Sequence, residues 1–433
     1  VSSTVLQKRP CRRNNAQMGN YRVMQGFKIA LYASVMAGFA VATGAGAVAQ
    51  DLSGREIHLG AIVPSSGHFA EWGRTNTVTL KMIEDQVNAA GGINGAKLKL
   101  SIYDDAARPA QSTNALRKLA GDDKVLAVAG PLTSSACEVV FPVANQIGIV
   151  STSQASSKPG VAKANRPWAF RNTIDEMVLA RETVPYFKNA YDIKTVAVIY
   201  DAKDATANAV GTKIMPKLMD ENGVKVLNAD SLISFNTGDL DVSAQVTKLK
   251  SYNPDGVVVS ADYSQAVTVI REMKRQGLDK PIVGSTQLIS SAILKAAPEL
   301  PIVAPTSFYV GMDTAAAKKF DAGVLPLLRG QKNLPAEVEP SMYDANIYEI
   351  VNMYIDAVKA SGVTGKPEDL EADRVKIRDY MTKLKNFDGL AGPVAFNADG
   401  DAVKMFYIVE GKSGQWTDKA HKCSAPDPAA CGL

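Results

Sequence analysis

The chain has 433 residues, of which 46% are hydrophobic, and a formal net charge of +4. Its basic excess lies in residues 1–49, which carry six Lys or Arg and no Asp or Glu, so the remaining 384 residues have a net charge of −2. Nucleic-acid binding is therefore not expected, because phosphate neutralisation needs clustered basic side chains. A chain of this length is expected to form two domains.

The N-terminal segment has the features of a secretory signal peptide. Arg22 and Lys28 supply positive charge, residues 29–42 are mostly apolar, and residues 47–49 form a small-x-small cleavage site. We expect a signal peptide at residues 24–49, preceded by an upstream extension at residues 1–23. The alternative is an uncleaved anchor, although the apolar stretch is short for a membrane span.

Strands and helices then alternate along the chain. The first half predicts strands 57–63, 98–103, 125–129 and 149–152, with helices 75–90, 109–120 and 135–146 between them. The pattern restarts with strands 195–200, 224–229, 256–260 and 281–285 and helices 205–222, 241–251 and 264–276. This alternation predicts parallel sheets covered by helices on both faces. We therefore predict an α/β fold of two doubly wound, Rossmann-like lobes.

A third block predicts a strand-like segment 303–310, helices 315–328, 343–360 and 369–384, and a terminal hairpin of 394–396 with 404–409. A chain that returns to its first lobe must cross between the lobes several times, which creates a hinge and a cleft. We expect lobe 1 to comprise 53–175 and 308–390, lobe 2 to comprise 176–307 and 391–418, and a C-terminal tail at 419–433.

Two cysteines near the C-terminus flank a turn-forming stretch. In an oxidising compartment Cys423 and Cys431 are expected to form a disulfide. Cys137 is left over and is expected to be a small buried hydrophobic residue rather than a nucleophile.

Candidate binding residues follow the predicted strands, because ligands of open parallel sheets bind beyond the carboxyl ends of the strands. Two hydroxyl-rich turns lie there: the first hydroxyl turn, residues 130–135, and the second hydroxyl turn, residues 153–157. Their backbone N–H groups and the hydroxyls of Ser134, Ser135, Ser156 and Ser157 suit a carboxylate. The alternative is ordinary helix capping by Ser or Thr.

Further candidates carry apolar or acidic side chains. Trp72 lies on a loop entering a helix, where it forms either an apolar wall for a ligand or a core anchor. Asp262 and Tyr263 follow a strand of the second half, as do Thr286 and Gln287. Asp262 either holds an ammonium group or caps the next helix, and Tyr263 either contacts the ligand or packs at the lobe edge.

Searches for catalytic patterns give little. The sequence has no Gly-x-Ser-x-Gly motif and no Walker-type phosphate loop. His58, His68 and His421 are far apart and lack metal-ligand spacing, so we expect no metal and no cofactor. Asp104 and Asp105 follow a strand and suit either acid–base chemistry or the start of a helix, of which the second is the preferred interpretation.

Several segments together carry a family resemblance: residues 64–73, 88–95, 103–105 with Pro109, and 130–135, supported by 153–157 and 271–277. In order and spacing they resemble the periplasmic leucine/isoleucine/valine-binding protein family, the solute receptors of ABC importers, over essentially the whole mature chain. The resemblance implies a type I periplasmic binding protein fold with three crossings between lobes. It also implies a monomeric, non-enzymatic periplasmic receptor that delivers its ligand to ABC permease subunits in the inner membrane.

The resemblance also implies roles for individual residues. The ligand carboxylate would meet Ser134 in lobe 1, together with Ala155 and Ser157, and Trp72 would form the aromatic wall. Lobe 2 departs from the family pattern, because the position of its ammonium-binding glutamate holds Thr286.

Two explanations for this departure stay open. Asp262 stands at the position of a cleft tyrosine and takes over the ammonium group, which preserves an amino-acid ligand. Alternatively the ligand lacks an ammonium group, and Ala205, at another tyrosine position, leaves room for an aromatic or branched carboxylate. Branched-chain amino acids or related small carboxylates are the expected ligands; the alternatives are other non-amino carboxylates, or a ligand-sensing module.

Overall fold

A computed structural model of the protein describes residues 50–433. The predicted signal peptide and upstream extension lie outside the described residues. Among residues 50–433, no helix is both long enough and apolar enough to cross a membrane. Two large sheets, of five and eight strands, form the framework of two α/β lobes.

Lobe 1 contains a parallel sheet of β1 (Glu56–Val63), β2 (Lys97–Asp104), β3 (Ala127–Ala129), β4 (Val150–Ser153) and β5 (Ala169–Arg171). Their order in space is β2-β1-β3-β4-β5. The first four strands are connected by α1 (Ala70–Ala89), α2 (Pro109–Gly121) and α3 (Ser134–Ile147). Residues 59–63 of β1 are all buried, as expected for a strand with helices on both faces.

Lobe 2 repeats the pattern with β6 (Thr195–Asp201), β7 (Lys225–Val226), β8 (Ile233–Phe235), β9 (Gly256–Ser260), β10 (Ile282–Val283) and β11 (Ile302–Thr306). Its helices are α4 (Glu176–Tyr191), α5 (Ala205–Ala209), α6 (Met215–Glu221), α7 (Ser243–Ser251), α8 (Tyr263–Arg275) and α9 (Ser291–Ala296). The predicted helix 205–222 is thus divided, because a π-helical turn at Val210–Ile214 separates α5 from α6.

The third block contains α10 (Ala315–Arg329), α11 (Met342–Ala360), α12 (Leu370–Lys383), β12 (Phe387–Gly389), β13 (Gly392–Phe396), β14 (Ala402–Val403), β15 (Met405–Lys412) and β16 (Gln415–Cys423). The predicted hairpin of 394–396 with 404–409 is wrong: β13 pairs with β12 and β14, whereas β15 pairs with β11 and β16. The reason is burial, because Phe406 and Ile408 of β15 pack into the lobe 2 core. Residues 419–423, predicted as tail, therefore continue the lobe 2 sheet.

The core of lobe 1 is assembled from distant parts of the chain. Leu59 of β1 packs in one apolar cluster with Ile350 and Tyr354 of α11 and with Met381 of α12. The hydroxyl of Tyr354 donates to the carbonyl of Val128, at 2.9 Å, so that α11 is tied to the middle of the sheet.

Three segments pass between the two sheets, at residues 172–175, 307–314 and 397–404. The first and third run side by side: the N–H of Arg171 donates to the carbonyl of Gly400 at 2.9 Å, and the N–H of Ala402 donates to the carbonyl of Thr173 at 3.2 Å.

A buried group of polar side chains, here called the hinge cluster, joins these segments to α11. It consists of Asn172, Asn346, Glu349 and Lys404. The Lys404 ammonium lies 2.8 Å from Glu349 Oε2 and 2.8 Å from Asn346 Oδ1, and Asn172 Nδ2 donates to Glu349 Oε2 at 2.7 Å. The second crossing reaches the cluster through Ser307, whose hydroxyl lies 3.5 Å from Asn346 Oδ1.

The three cysteines of residues 50–433 fall into two kinds. Cys423, at the end of β16, is bonded to Cys431, with a Cα–Cα distance of 5.6 Å. Cys137 is buried within lobe 1, and burial raises the pKa of its thiol to about 12. A thiol of this kind is not a reactive nucleophile at neutral pH.

Candidate functional site

Trp72 lies in the first turn of α1, where lobe 1 meets lobe 2. Its ring centroid is 4.6 Å from that of Tyr263 at the start of α8 and 4.5 Å from that of Tyr343 at the start of α11. Only 3% of Trp72 is exposed. Trp72 is therefore packed as an anchor at the junction of the lobes, and its role as a wall for a ligand stays a prediction.

The early start of α1 places Trp72 there. The sequence predicts a start at Thr75, but the helix begins at Ala70. Gly73 permits this start, because a Cβ atom at that position would lie 2.1 Å from the carbonyl oxygen of Pro64. Any larger residue would push the first turn of the helix away from the end of β1.

The first hydroxyl turn opens α3. Thr133 is its cap, since its hydroxyl accepts the N–H of Ala136 at 3.2 Å. The hydroxyl of Ser134, one residue further, instead lies 2.8 Å from that of Ser156 and 2.9 Å from that of Thr206 in lobe 2. The capping alternative thus applies to Thr133, while Ser134 connects the two hydroxyl turns and the two lobes.

The second hydroxyl turn is held together from within. The hydroxyl of Ser153 accepts the N–H groups of Ala155 at 3.3 Å and Ser156 at 3.0 Å. The carbonyl of Ser157 accepts the N–H of Glu176 at 3.2 Å, which attaches the end of the turn to the first helix of lobe 2.

The two turns and the facing loops of lobe 2 enclose a cavity of about 20 Å³, roughly the volume of one water molecule. The lobes are therefore closed on each other. Lobe 1 contributes Phe69, Trp72, Leu132, Thr133, Ser134, Ala155 and Ser157 to the cavity wall, and the rest of the chain contributes Asp204, Thr206, Gln287 and Tyr343.

The ten residues predicted to bind a ligand divide evenly between this wall and its surroundings. Five of them line the cavity: Trp72, Ser134, Ala155, Ser157 and Gln287. The other five lie outside the wall: Ser135, Ser156, Asp262, Tyr263 and Thr286.

Asp262 does not line the cavity. Its carboxylate caps α8 by accepting the N–H of Ser264 at 2.8 Å, and its other oxygen lies 2.7 Å from Nε2 of His68 in the loop after β1. Burial lowers the pKa of His68, but the hydrogen bond and negative charge of Asp262 outweigh that effect, and the pKa is raised overall. The charge of Asp262 therefore serves a contact between the lobes.

Thr286 lies behind the wall and contacts a carboxylate that the sequence analysis did not single out. Its hydroxyl donates to Glu176 Oε1 at 2.6 Å. Burial raises the pKa of Glu176 to about 7, against the opposing hydrogen bonds of Thr286 and Ser157. An acidic side chain thus approaches the position of Thr286 from α4, which starts more than a hundred residues earlier in the chain.

Asp204 is a second carboxylate that sequence reasoning missed, and it lies on the cavity wall. It caps α5, accepting the N–H of Ala207 at 2.7 Å, and the same oxygen accepts Nε2 of Gln287 at 3.0 Å. Burial raises its pKa to about 6. The signal was available, because Asp204 follows β6 just as Asp262 follows β9.

Asp104 and Asp105 hold the turn that leads into α2. Asp104 accepts the N–H of Ala106 at 2.9 Å, and Asp105 accepts the N–H of Ala107 at 2.9 Å and the hydroxyl of Ser112 at 2.6 Å. These bonds hold the turn before α2, but neither residue lies in the first turn of that helix, which contains no acidic side chain.

Two α/β lobes, three crossings and a small cavity between the lobes are the features of a receptor for a small solute. The profile of the family described as "Periplasmic binding protein" matches residues 56–415, and the chain belongs to this family. The resemblance noted in the sequence and the predicted fold class are both confirmed.

Individual relatives agree with this assignment. An amino acid binding protein of Pseudomonas aeruginosa is 26% identical over 371 residues, covering 84% of this chain and 91% of the relative. A Leu/Ile/Val-binding protein of Rhizobium johnstonii is 25% identical over 356 residues, covering 82% and 91% of the two chains.

Solved structures extend the comparison. The branched-chain amino acid transporter substrate-binding protein LivJ of Streptococcus pneumoniae, in complex with isoleucine, has a TM-score of 0.73 and 25% identity, covering 85% of this chain and 99% of that chain. A solute-binding protein of an ABC transporter from Rhodopseudomonas palustris, in complex with 3,4-dihydroxybenzoic acid, has a TM-score of 0.71. At 20% identity, over 86% of this chain and 99% of that one, it shares the fold alone.

Proposed function

We propose that the protein is the solute-binding receptor of an ABC importer, which captures branched-chain amino acids or related small carboxylates between its lobes and delivers them to a permease in the inner membrane. The observation that carries the proposal is the two-sided cavity wall, with hydroxyls at the start of α3 on one side and apolar rings beside them. Export by the signal peptide at 24–49, a periplasmic location and a monomeric receptor belong to the same proposal.

The polar side of the wall suits a carboxylate. α3 has 14 residues, and its first N–H groups have no carbonyl one turn earlier to bond. These groups and the positive end of the helix dipole favour an anion. The hydroxyls of Ser134 and Ser157 add donors next to them.

The apolar side suits a short hydrocarbon side chain. Phe69, Trp72, Leu132 and Tyr343 line the cavity, and each is less than 9% exposed. Burying a Leu, Ile or Val side chain against such groups contributes about 1.5–3 kcal/mol.

Capture requires the lobes to separate, because the closed cavity has room for little more than a water molecule. Ser134 and Thr206 are in direct contact across the lobes. A ligand that contacts both walls replaces such direct contacts and shifts the equilibrium between open and closed forms.

Titration calorimetry on the purified protein tests the proposal. We expect leucine, isoleucine or valine to bind with a Kd in the micromolar range or tighter, equivalent to about −8 kcal/mol or more. The bound solute should be recovered chemically unchanged after long incubation, as shown by mass spectrometry of small molecules released on denaturation. If leucine, isoleucine, valine and the other amino acids tested all fail to bind, the proposed amino-acid ligand is contradicted.

A second candidate ligand class is an aromatic carboxylate. The ring-rich wall formed by Phe69, Trp72 and Tyr343 favours it, and a fold relative is complexed with a dihydroxybenzoic acid. Tighter binding of benzoate than of any amino acid in the same titrations would select this class.

A further inference from the structure

We propose that Asp204, with Gln287, binds the ammonium group of the ligand, so that the receptor selects solutes carrying both an amino group and a carboxylate. This inference rests on the proposed function and assigns a specificity-determining role to residues of the same cavity. It differs from both explanations left open in the sequence analysis, in which either Asp262 takes over the ammonium group or the ligand lacks one.

The first observation is the distribution of charge around the cavity. Among the residues that line it, Asp204 is the only one whose side chain carries a formal charge at neutral pH, and no Lys, Arg or His lies among them. A solute with a carboxylate and no cationic group would bring a second negative charge into a closed space without compensation, which is costly in a site of low dielectric constant.

The second observation is a pair of acceptors without donors. Nε2 of Gln287 donates to Asp204 Oδ1, which fixes the orientation of the amide. Oε1 of Gln287 is buried and has no hydrogen-bond partner among residues 50–433, and Gln287 as a whole is only 7% exposed. Asp204 Oδ2 also accepts no hydrogen bond within that part of the chain, because the N–H of Ala207 and Nε2 of Gln287 both donate to Oδ1, but unlike Gln287 Oε1 it is not fully buried.

These acceptors call for a donor with several N–H groups and a positive charge. An ammonium group has three donors and no acceptor, so it satisfies both oxygens at once. Water or a hydroxyl would satisfy them only in part and would bring no positive charge to Asp204 from within the cavity.

The alternative carboxylates are already engaged. Asp262 is paired with His68 outside the cavity wall, and Glu176 accepts the hydroxyl of Thr286 behind it. With Ser134 and the start of α3 facing the other end of the ligand, the cavity has the polarity of an α-amino acid.

The test compares leucine with 2-hydroxy-4-methylpentanoate, which replaces the amino group by a hydroxyl and keeps the carboxylate and the side chain. We expect wild-type protein to prefer leucine by at least about tenfold, the usual size of a charged hydrogen bond. In Asp204→Asn the affinity for leucine should fall at least about tenfold, and the preference should largely disappear. Asn caps helices as well as Asp does, so α5 should be retained.

Asp262→Asn is the matched control, because it removes a buried carboxylate that caps a helix in the same lobe. Its preference for leucine over the hydroxy acid should equal that of the wild type. An Asp204→Asn protein that keeps the wild-type preference would overturn the assignment, as would loss of the preference in Asp262→Asn alone. If wild-type protein binds benzoate and no amino acid, this inference fails while the proposed receptor function stands with its second ligand class, whereas binding of none of these solutes would overturn the proposed function itself. Asp204→Ser, which caps but carries no charge, repeats the test should Asp204→Asn unfold.

Discussion

Ser134 is the residue at which both lobes and both hydroxyl turns meet. Its hydroxyl has one donor and two acceptor positions, and it lies within hydrogen-bond distance of Ser156 and Thr206. Only the contact with Thr206 crosses the lobes, so opening the cleft frees part of the bonding capacity of Ser134 for a ligand while the second hydroxyl turn stays attached.

The double substitution Ser134→Ala and Ser157→Ala is expected to weaken ligand binding at least about tenfold, because each hydrogen bond to a carboxylate contributes roughly 1.5–3 kcal/mol. The loss of affinity is measured by calorimetric titration with the solute that binds the wild-type protein most tightly. Ser135→Ala is the control, since Ser135 is half-buried beside Ser134 but does not line the cavity. Affinity in the double variant within twofold of the wild type would remove the carboxylate from this wall.

Five of the ten binding residues predicted from the sequence line the cavity, and there is a physical reason for this success. Ligands bind beyond strand ends, and reading the residues there identified Ser134, Ser157 and Gln287 on the cavity wall. Tyr343 could not be found in this way, because it starts a helix that follows no strand and reaches the cavity only through tertiary packing. Asp204 also follows a strand and was predictable in the same way, but the sequence analysis compared only its neighbour Ala205 with the family pattern.

The loop after β1 and the start of α8 form a second contact between the lobes, separate from the cavity. His68 of the loop lies 2.7 Å from Asp262 and 3.2 Å from the hydroxyl of Ser264. Asp201 and Asp204 also face this histidine and favour its protonated form. The contact therefore depends on a side chain whose charge changes with pH, and whose pKa is raised by its acidic neighbours.

The stabilisation contributed by His68 is expected to decrease as the pH rises. The pKa of His68 is higher in the closed, folded protein than in the unfolded chain. Its contribution is then complete below the unfolded pKa and disappears as the pH passes the folded pKa. Urea unfolding at about pH 6 and about pH 8.5, on either side of the usual histidine range, should show that His68→Gln loses more stability at the lower pH.

His421→Gln serves as the control for that experiment, because His421 is exposed on β16. It should lower the stability at the lower pH by less than His68→Gln does. A His68→Gln protein whose stability deficit grows as the pH rises would contradict the ion pair.

Individual elements were predicted well where one periodicity dominates and poorly where tertiary packing decides. The long helix near 343–360 and the strand 57–63 have clear patterns, and both lie within one residue of the predicted bounds. The predicted hairpin was wrong because the strand that pairs with β13 is β14, which is only two residues long. The next strand, β15, pairs instead with β11, from far upstream in the chain.

For the molecule as a whole, the hinge cluster is the point through which the three crossings are connected. Lys404 and Glu349 are 3–4% exposed at their side chains and lie 2.8 Å apart. Glu349 also accepts the N–H of Leu390 at 2.9 Å. No sequence pattern predicts the pairing of Lys404 with Glu349, because these residues meet only when the third crossing packs against α11.

Lys404→Met is expected to lower the free energy of unfolding by about 3–5 kcal/mol, because it leaves Glu349 buried without a counter-charge. Adding Glu349→Gln should restore part of that loss. Urea unfolding monitored by circular dichroism measures both values.

Lys295→Met is the control, because the pair of Lys295 with Glu337 is exposed and pairs of that kind contribute about 1 kcal/mol at most. Equal destabilisation by Lys404→Met and Lys295→Met would show that the hinge cluster is no more important than a surface ion pair.

The discontinuous core of lobe 1 also sets the order in which the protein can mature. The apolar cluster around β1 includes residues of α1 but is completed only by α11 and α12, which are synthesised after the whole of the intervening lobe. Contacts between such distant segments slow folding, because a long loop must close before they form. A nascent chain of this design cannot complete the core of lobe 1 until nearly its whole length is available, and under the proposed export this delay would keep lobe 1 incomplete while the chain crosses the membrane.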